Sequence, residues 1–165
     1  MLNSTANVGT LANYWGTAEP TNNVFSVAAA EYDNNHSNAN IIAYCWHSVE
    51  GYSKFGSYTG NGSTDGPFVY CGFRPAFVMW KVTTTTESWT IFDTARDEYN
   101  FARYRVHPNL SNAETTGSET VGNIAMDIVS NGFKIRNTST NLNESEETYI
   151  FMAFAEQPFN YANAR

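Results

Sequence analysis

Between Gly51 and Pro75 the chain reads GYSKFGSYTGNGSTDGPFVYCGFRP, and this stretch limits the fold more than any other. Aromatic and β-branched residues come in short runs, and glycine, asparagine or proline breaks each run before a helical period can build. Asn61-Gly62 and Asp65-Gly66 can supply the positive φ angles of tight turns, so the physical reading is two apolar strands joined by a glycine-rich hairpin. Pro75 belongs at a strand entrance, where its missing N–H does no damage. No catalytic or cofactor motif lies in the stretch.

The same pattern recurs along the chain. Strand signals fall at 24–27, 41–49, 52–59, 68–73, 76–83, 88–95, 101–107, 124–129, 132–136 and 148–155. No window carries a 3.6-residue apolar period, and the four threonines 83–86 read as an exposed link between two strands. A chain of 165 residues that is 42% apolar and 15% aromatic has material for a real core. About ten short strands at close spacing predict an all-β fold, an antiparallel β-sandwich of the jelly-roll or lectin-like kind.

Charge removes several function classes. The net charge of −7 offers no basic stripe for nucleic acid and would be repelled by an anionic membrane. No run of eighteen apolar residues is long enough for a membrane-spanning helix, and the start Met1-Leu2-Asn3-Ser4-Thr5 lacks the basic and apolar regions of a signal peptide. Cys45 and Cys71 sit in apolar runs without CxxC spacing, so free thiols are expected rather than a disulfide or a zinc site. Neither a metal nor a cofactor is expected.

A weak internal repeat bears on domain organisation. A shift of 108 positions lays residues 1–57 on 109–165, matching Leu2 with Leu110, Gly9 with Gly117, Asn23 with Asn131, Phe25 with Phe133, Asn35 with Asn143 and Ile42 with Ile150. On this reading residues 1–57 are the second half of a preceding repeat unit, packed on the module that follows, and 58–165 form a complete β-sandwich module. A half-unit must bury its apolar strands against that module or against another copy of the chain, which points to a homo-oligomer.

Polar clusters read as structure. The loop Asp33-Asn34-Asn35-His36-Ser37-Asn38 lacks the glycine and terminal glutamate of a calcium loop and reads as an Asn-rich turn. His36, His47 and His107 show no metal spacing and are expected in packing or surface roles. Asp93-Thr94-Ala95-Arg96-Asp97-Glu98 holds carboxylates that a polysaccharide depolymerase would need facing each other across a groove, but a salt-bridged turn accounts for it better. No catalytic residue is therefore assigned, and the expectation is a non-enzyme. The candidate ligand-binding residues are Tyr14, Trp15, Tyr32, Tyr52 and Tyr58, aromatics beside Gly- or Asn-rich loops where a ring face can stack on a sugar or a protein surface.

Several segments taken together carry a resemblance. They are Gly51-Tyr52-Ser53-Lys54-Phe55-Gly56-Ser57-Tyr58-Thr59-Gly60-Asn61-Gly62, Gly72-Phe73-Arg74-Pro75-Ala76-Phe77-Val78, Asp93-Thr94-Ala95-Arg96-Asp97, Ser130-Asn131-Gly132-Phe133-Lys134-Ile135-Arg136 and Tyr149-Ile150-Phe151-Met152-Ala153-Phe154-Ala155-Glu156. With Pro108-Asn109-Leu110-Ser111-Asn112-Ala113-Glu114 and the ending Asn160-Tyr161-Ala162-Asn163-Ala164-Arg165, the chain resembles an uncharacterised repeat domain of marine bacteriophage tail-fibre and virion structural proteins. In that group such units stand in tandem, often after lectin-like domains, and close the polypeptide, as the Arg165 ending fits.

The resemblance implies a virion protein, assembled in the host cytoplasm, whose partners are other virion subunits and a host-surface glycan. A fibre would make it a trimer, with repetition supplying avidity. It implies no catalytic or ligand residue. The Met1 start in mid-unit leaves room for a short decoration protein of purely architectural role, or for a fragment.

Overall fold

The computed structural model describes residues 5, 21–27, 40, 42–116 and 125–158. By backbone contacts the chain divides into one unit of Met1–Val8 with Trp46–Arg165 and a second of Gly9–Cys45. In the second, Thr21 closes a small turn: its hydroxyl accepts the N–H groups of Asn23 and Val24 at 3.2 and 3.1 Å.

The larger unit is all-β and antiparallel, with no helix among the described residues. Its strands are β1 (Ser53–Thr59), β2 (Phe68–Tyr70), β3 (Pro75–Val82), β4 (Thr90–Asp93), β5 (Tyr104–Arg105), β6 (Thr115–Thr116), β7 (Met126–Val129), β8 (Gly132–Ile135) and β9 (Thr148–Ala155). A four-stranded sheet runs β1-β9-β3-β4, a three-stranded sheet runs β2-β8-β7, and β5-β6 make a two-stranded ribbon. Tyr58, Val78, Trp80, Val82, Phe92, Tyr149, Phe151 and Ala153 from the first sheet join Val69, Met126, Ile128, Phe133 and Ile135 from the second in one buried cluster. That shared core between two antiparallel sheets is a β-sandwich.

Residues 137–147 plug one end of it. Leu142 is fully buried, and the backbone around it is tied down by core side chains. Tyr58 Oη donates to Leu142 O at 2.9 Å, Trp80 Nε1 to Asn141 O at 2.9 Å, and Tyr149 Oη to Thr140 O at 2.6 Å. Buried Asn143 is fully satisfied: the two N–H groups of its Nδ2 are shared among Asn61 Oδ1, Ser63 O and Asn137 O, at 3.0, 2.7 and 2.8 Å, and its Oδ1 accepts the Asn61 N–H. A satisfied buried amide of this kind fixes one arrangement of the loops it joins.

The expected hairpin is corrected here. β1 pairs with β9 and β2 with β8, so the glycine-rich stretch joins two sheets rather than two neighbouring strands. Asn143 holds that crossing loop in place, and Gly62 does take a positive φ of 65°. Gly66 serves close approach instead, since a Cβ there would lie 2.8 Å from Ile135 Cβ.

The segments 24–27 and 42–48 form no strand, whereas their repeat counterparts make up β8 and most of β9. The boundary expected at 57/58 falls inside β1, which forms one continuous ladder with β9 from Ser53 to Thr59. Both thiols are free, Cys45 exposed and Cys71 buried. Pro75 opens β3 as expected.

Candidate functional site

Of the five aromatics singled out in the sequence, Tyr14, Trp15 and Tyr32 lie outside the described residues. Tyr58 is corrected: it is 9% exposed, stacked on Tyr149 at 5.0 Å and edge-on to Phe133 at 6.2 Å. It points inward because the strand pleat sets Lys54, Gly56 and Tyr58 on the core-facing side of β1. Burial, then the neighbouring Tyr149, pushes its hydroxyl well above the ordinary tyrosine range. A ring so enclosed has no face left for a ligand.

Tyr52 is 41% exposed and meets Phe154 edge-on at 6.0 Å. It belongs to an aromatic ladder on the outer face of the four-stranded sheet. Phe154 is the hub, touching Phe55 at 5.9 Å and Phe77 at 5.9 Å, while Trp46 stacks over Phe55 at 6.4 Å. Register adds Met152, Met79 and Ile91 to the same face, most of it half-buried.

The outer face of the three-stranded sheet is built differently. Cross-strand register sets Phe68, Lys134 and Asp127 in one row, and Tyr70, Gly132 and Val129 in the next. Val69 turns to the core between two rings that turn out, leaving Phe68 48% and Tyr70 62% exposed. Their Cα atoms stand about 6.7 Å apart, two strand steps. Gly132 must be glycine, because a Cβ would fall 2.0 Å from Val69 O, so no side chain stands beside Tyr70 there. Gly72, at a φ of 84°, lies under the Tyr70 ring, whose Oη would sit 3.6 Å from a Cβ at that position.

An ion network edges this platform. Lys134 Nζ meets Asp65 Oδ1 at 2.7 Å, Arg136 Nε meets Asp127 Oδ2 at 2.5 Å, and Arg136 Nη1 comes within 3.9 Å of Asp65. The Lys134 hydrogen bond and charge hold the Asp65 carboxyl below its usual range. Two rings with open faces beside fixed donors and acceptors make a surface suited to a ligand with both apolar and hydroxyl-bearing faces. Sequence reading missed Phe68 and Tyr70 because Phe-Val-Tyr is apolar throughout and shows no alternation; the nearby turn glycines were the only signal.

The remaining polar clusters serve structure. Arg96 bridges Asp93 and Glu114 at 3.1 and 3.3 Å, and Asp97 Oδ2 accepts the N–H groups of Arg103 and Tyr104, each at 2.6 Å. These contacts form the salt-bridged turn expected for that cluster. His107 Nδ1 donates to Trp89 O at 2.9 Å and packs against the sheet, whereas His47 is exposed beside the Ser48 carbonyl. Among the described residues no group of three or more His, Cys, Asp or Glu side chains is arranged to hold a metal ion. No helix among them is long and apolar enough to cross a membrane.

Neither a curated protein nor a solved structure matches the chain. A family model described as a domain of unknown function (DUF7483) matches residues 1–158 in one span, running through the 57/58 position without a break. With nearly the whole chain covered, the protein belongs to that family.

Proposed function

We propose that the protein is a non-enzymatic structural and adhesion module of a bacteriophage virion, a fibre, spike or fibre-tip part, that holds a host-surface glycan on the Phe68–Tyr70 ring pair. One observation carries this reading: two exposed rings on a short strand that the β8 ladder and Asn143-anchored loop hold rigid. Sugar rings stack on such faces while their hydroxyls reach Lys134, Asp65 and Arg136. Two rings support only weak binding per site, about millimolar, and a homotrimer would multiply it by avidity. The virion setting and its partner subunits come from the sequence resemblance.

A second reading, a decoration protein of architectural role, is favoured by the aromatic ladder around Phe154, which suits a protein neighbour. Glycan-array binding by wild type and by an F68A/Y70A variant, with sedimentation of both, separates the two. Array binding lost in a variant of unchanged circular dichroism supports adhesion. No glycan binding by a chain that sediments as a stable oligomer supports architecture, and a monomer that binds nothing sinks both.

A further inference from the structure

The chain carries 16 acidic and 9 basic residues, so a cation here should rarely lack a carboxylate. Arg74 meets Glu156 at 2.8 Å, Arg96 meets Asp93 and Glu114, and Arg136 meets Asp127. Among the described residues Arg105 in β5 has no such ion pair, and unlike Lys81, which bonds the Val82 and Thr85 carbonyls, it has buried nitrogens with no acceptor. Its Nε and Nη1 are shut off from water and have no hydrogen-bond partner. Directly opposite in the β5–β6 ladder is Thr115, whose Oγ1 is also buried and also unpartnered.

Cβ atoms of directly opposed residues lie about 4.5–5.5 Å apart, so the two side chains leave neighbouring points on one face of the ladder. Withdrawing N–H donors from water without giving them an acceptor costs free energy that an arriving acceptor would recover. Burial pulls the guanidinium below its ordinary pKa, as expected of a charge left uncompensated.

We propose that Arg105 and Thr115 form a binding site for a small oxyanion of the carboxylate, sulfate or phosphate class. The guanidinium donates from Nε and Nη1 and the threonine hydroxyl from Oγ1, three donors for a group with several acceptor oxygens. Access comes through β6. β5 is fastened to β4 by the Ile91–Val106 bridge, with hydrogen bonds of 2.9 and 3.2 Å in the two directions. Among the described residues β6 pairs with β5, over two residues. A small outward swing of β6 uncovers both groups together. This site is independent of the Phe68–Tyr70 platform and of the glycan reading.

Thermal unfolding of wild type, R105M and T115V in sodium chloride, sulfate, phosphate and acetate at matched ionic strength tests it. Wild type should show a saturable rise in Tm with at least one oxyanion. R105M should keep only the unsaturable salting-out slope common to sulfate and phosphate. T115V should need at least fivefold more anion. In chloride R105M should melt about 2–4 °C above wild type, because it removes buried N–H donors that have no partner.

Identical anion responses in wild type and R105M would overturn the proposal. Should R105M fail to fold, the Nε resonance of Arg105 in the wild type must move on titration with sulfate, and a fixed resonance overturns it equally. Sedimentation in the same series identifies the natural source. Oligomers that dissociate as sulfate binds would mark a neighbouring subunit's carboxylate, and an unchanged mass would mark a separate anionic ligand.

Discussion

The two sheets share one core and differ in what they turn away from it. On the four-stranded sheet the centre of the outer face is an aromatic and methionine cluster, with Phe55, Phe77, Phe154, Met152 and Met79 half-buried or buried. On the three-stranded sheet the outer face alternates as a solvated sheet should, carrying Lys134, Asp127 and Arg136 in ion pairs, except for two open rings on its short edge strand. Rings in the first set touch one another and contribute to stability through area removed from water. Rings in the second set stand exposed on a face that is otherwise charged. Aromatic residues in one chain thus divide by neighbourhood, and exposure on an otherwise polar face marks the ones free to bind.

The comparison breaks most sharply at Gly132. Replacement by alanine puts a Cβ on the Val69 carbonyl, so β2 must leave β8. Urea denaturation should show a loss of about 3–5 kcal/mol or no folded protein. A G132A variant as stable as wild type would mean that β2 is no fixed platform.

Matched ring deletions come next. F154A should cost about 2–3 kcal/mol in the same assay, because it empties the hub of a half-buried cluster. F68A and Y70A should each stay within about 0.5 kcal/mol of wild type, while glycan binding falls about tenfold per ring, roughly the free energy of one aromatic stacking contact. Equal destabilisation by all three would erase the distinction between the faces.

Cys71, just past β2, reports on the platform from beneath. Burial pushes its thiol up to about 12, against a slight pull from Lys54. Exposed Cys45 should react with a disulfide reagent within minutes, and Cys71 only as fast as β2 opens. G132A, if it folds, should bring the two rates together.

Smallest is the pH response of the ion edge. Asp65 has a folded pKa below its unfolded one, so its contribution is present above about pH 4 and fades as pH falls through the folded value. An NMR titration of its carboxyl carbon should show the lowered midpoint, and K134M should return it to the ordinary range. At neutral pH K134M should weaken glycan binding by less than the loss of either ring, because Lys134 is one of the groups that sugar hydroxyls reach.

Much of the fold was legible because strand composition is local. The expected segments at 52–59, 76–83, 132–136 and 148–155 each match an observed strand to within one residue at either end. Sheet membership was not legible, since nothing in Gly60-Asn61-Gly62 announces that Asn143, far along the chain, will bond that loop and send it across to the other sheet. The two threonines of β6 were too short a signal to register as a strand.

Site residues were hardest to read, because orientation depends on pleat parity. Parity is ambiguous wherever both faces of a strand are apolar, as with Phe55 and Tyr58, or where all three residues are, as in β2. The orphaned Arg105 leaves no trace in sequence at all, for it is defined by the partner it lacks.

The order β1-β9-β3-β4 has one more consequence, in the order of synthesis. Of the described strands β9 leaves the ribosome last, yet it lies between β1 and β3 and supplies Tyr149, Phe151 and Ala153 to the core. Until it emerges, β1 has no sheet to join and the pair β3–β4 has one open flank. The four-stranded sheet therefore cannot assemble as its parts are made. The nascent chain must hold its aromatic strands apart until the final ladder closes, which makes folding slow by topology and sensitive to crowding by copies of itself.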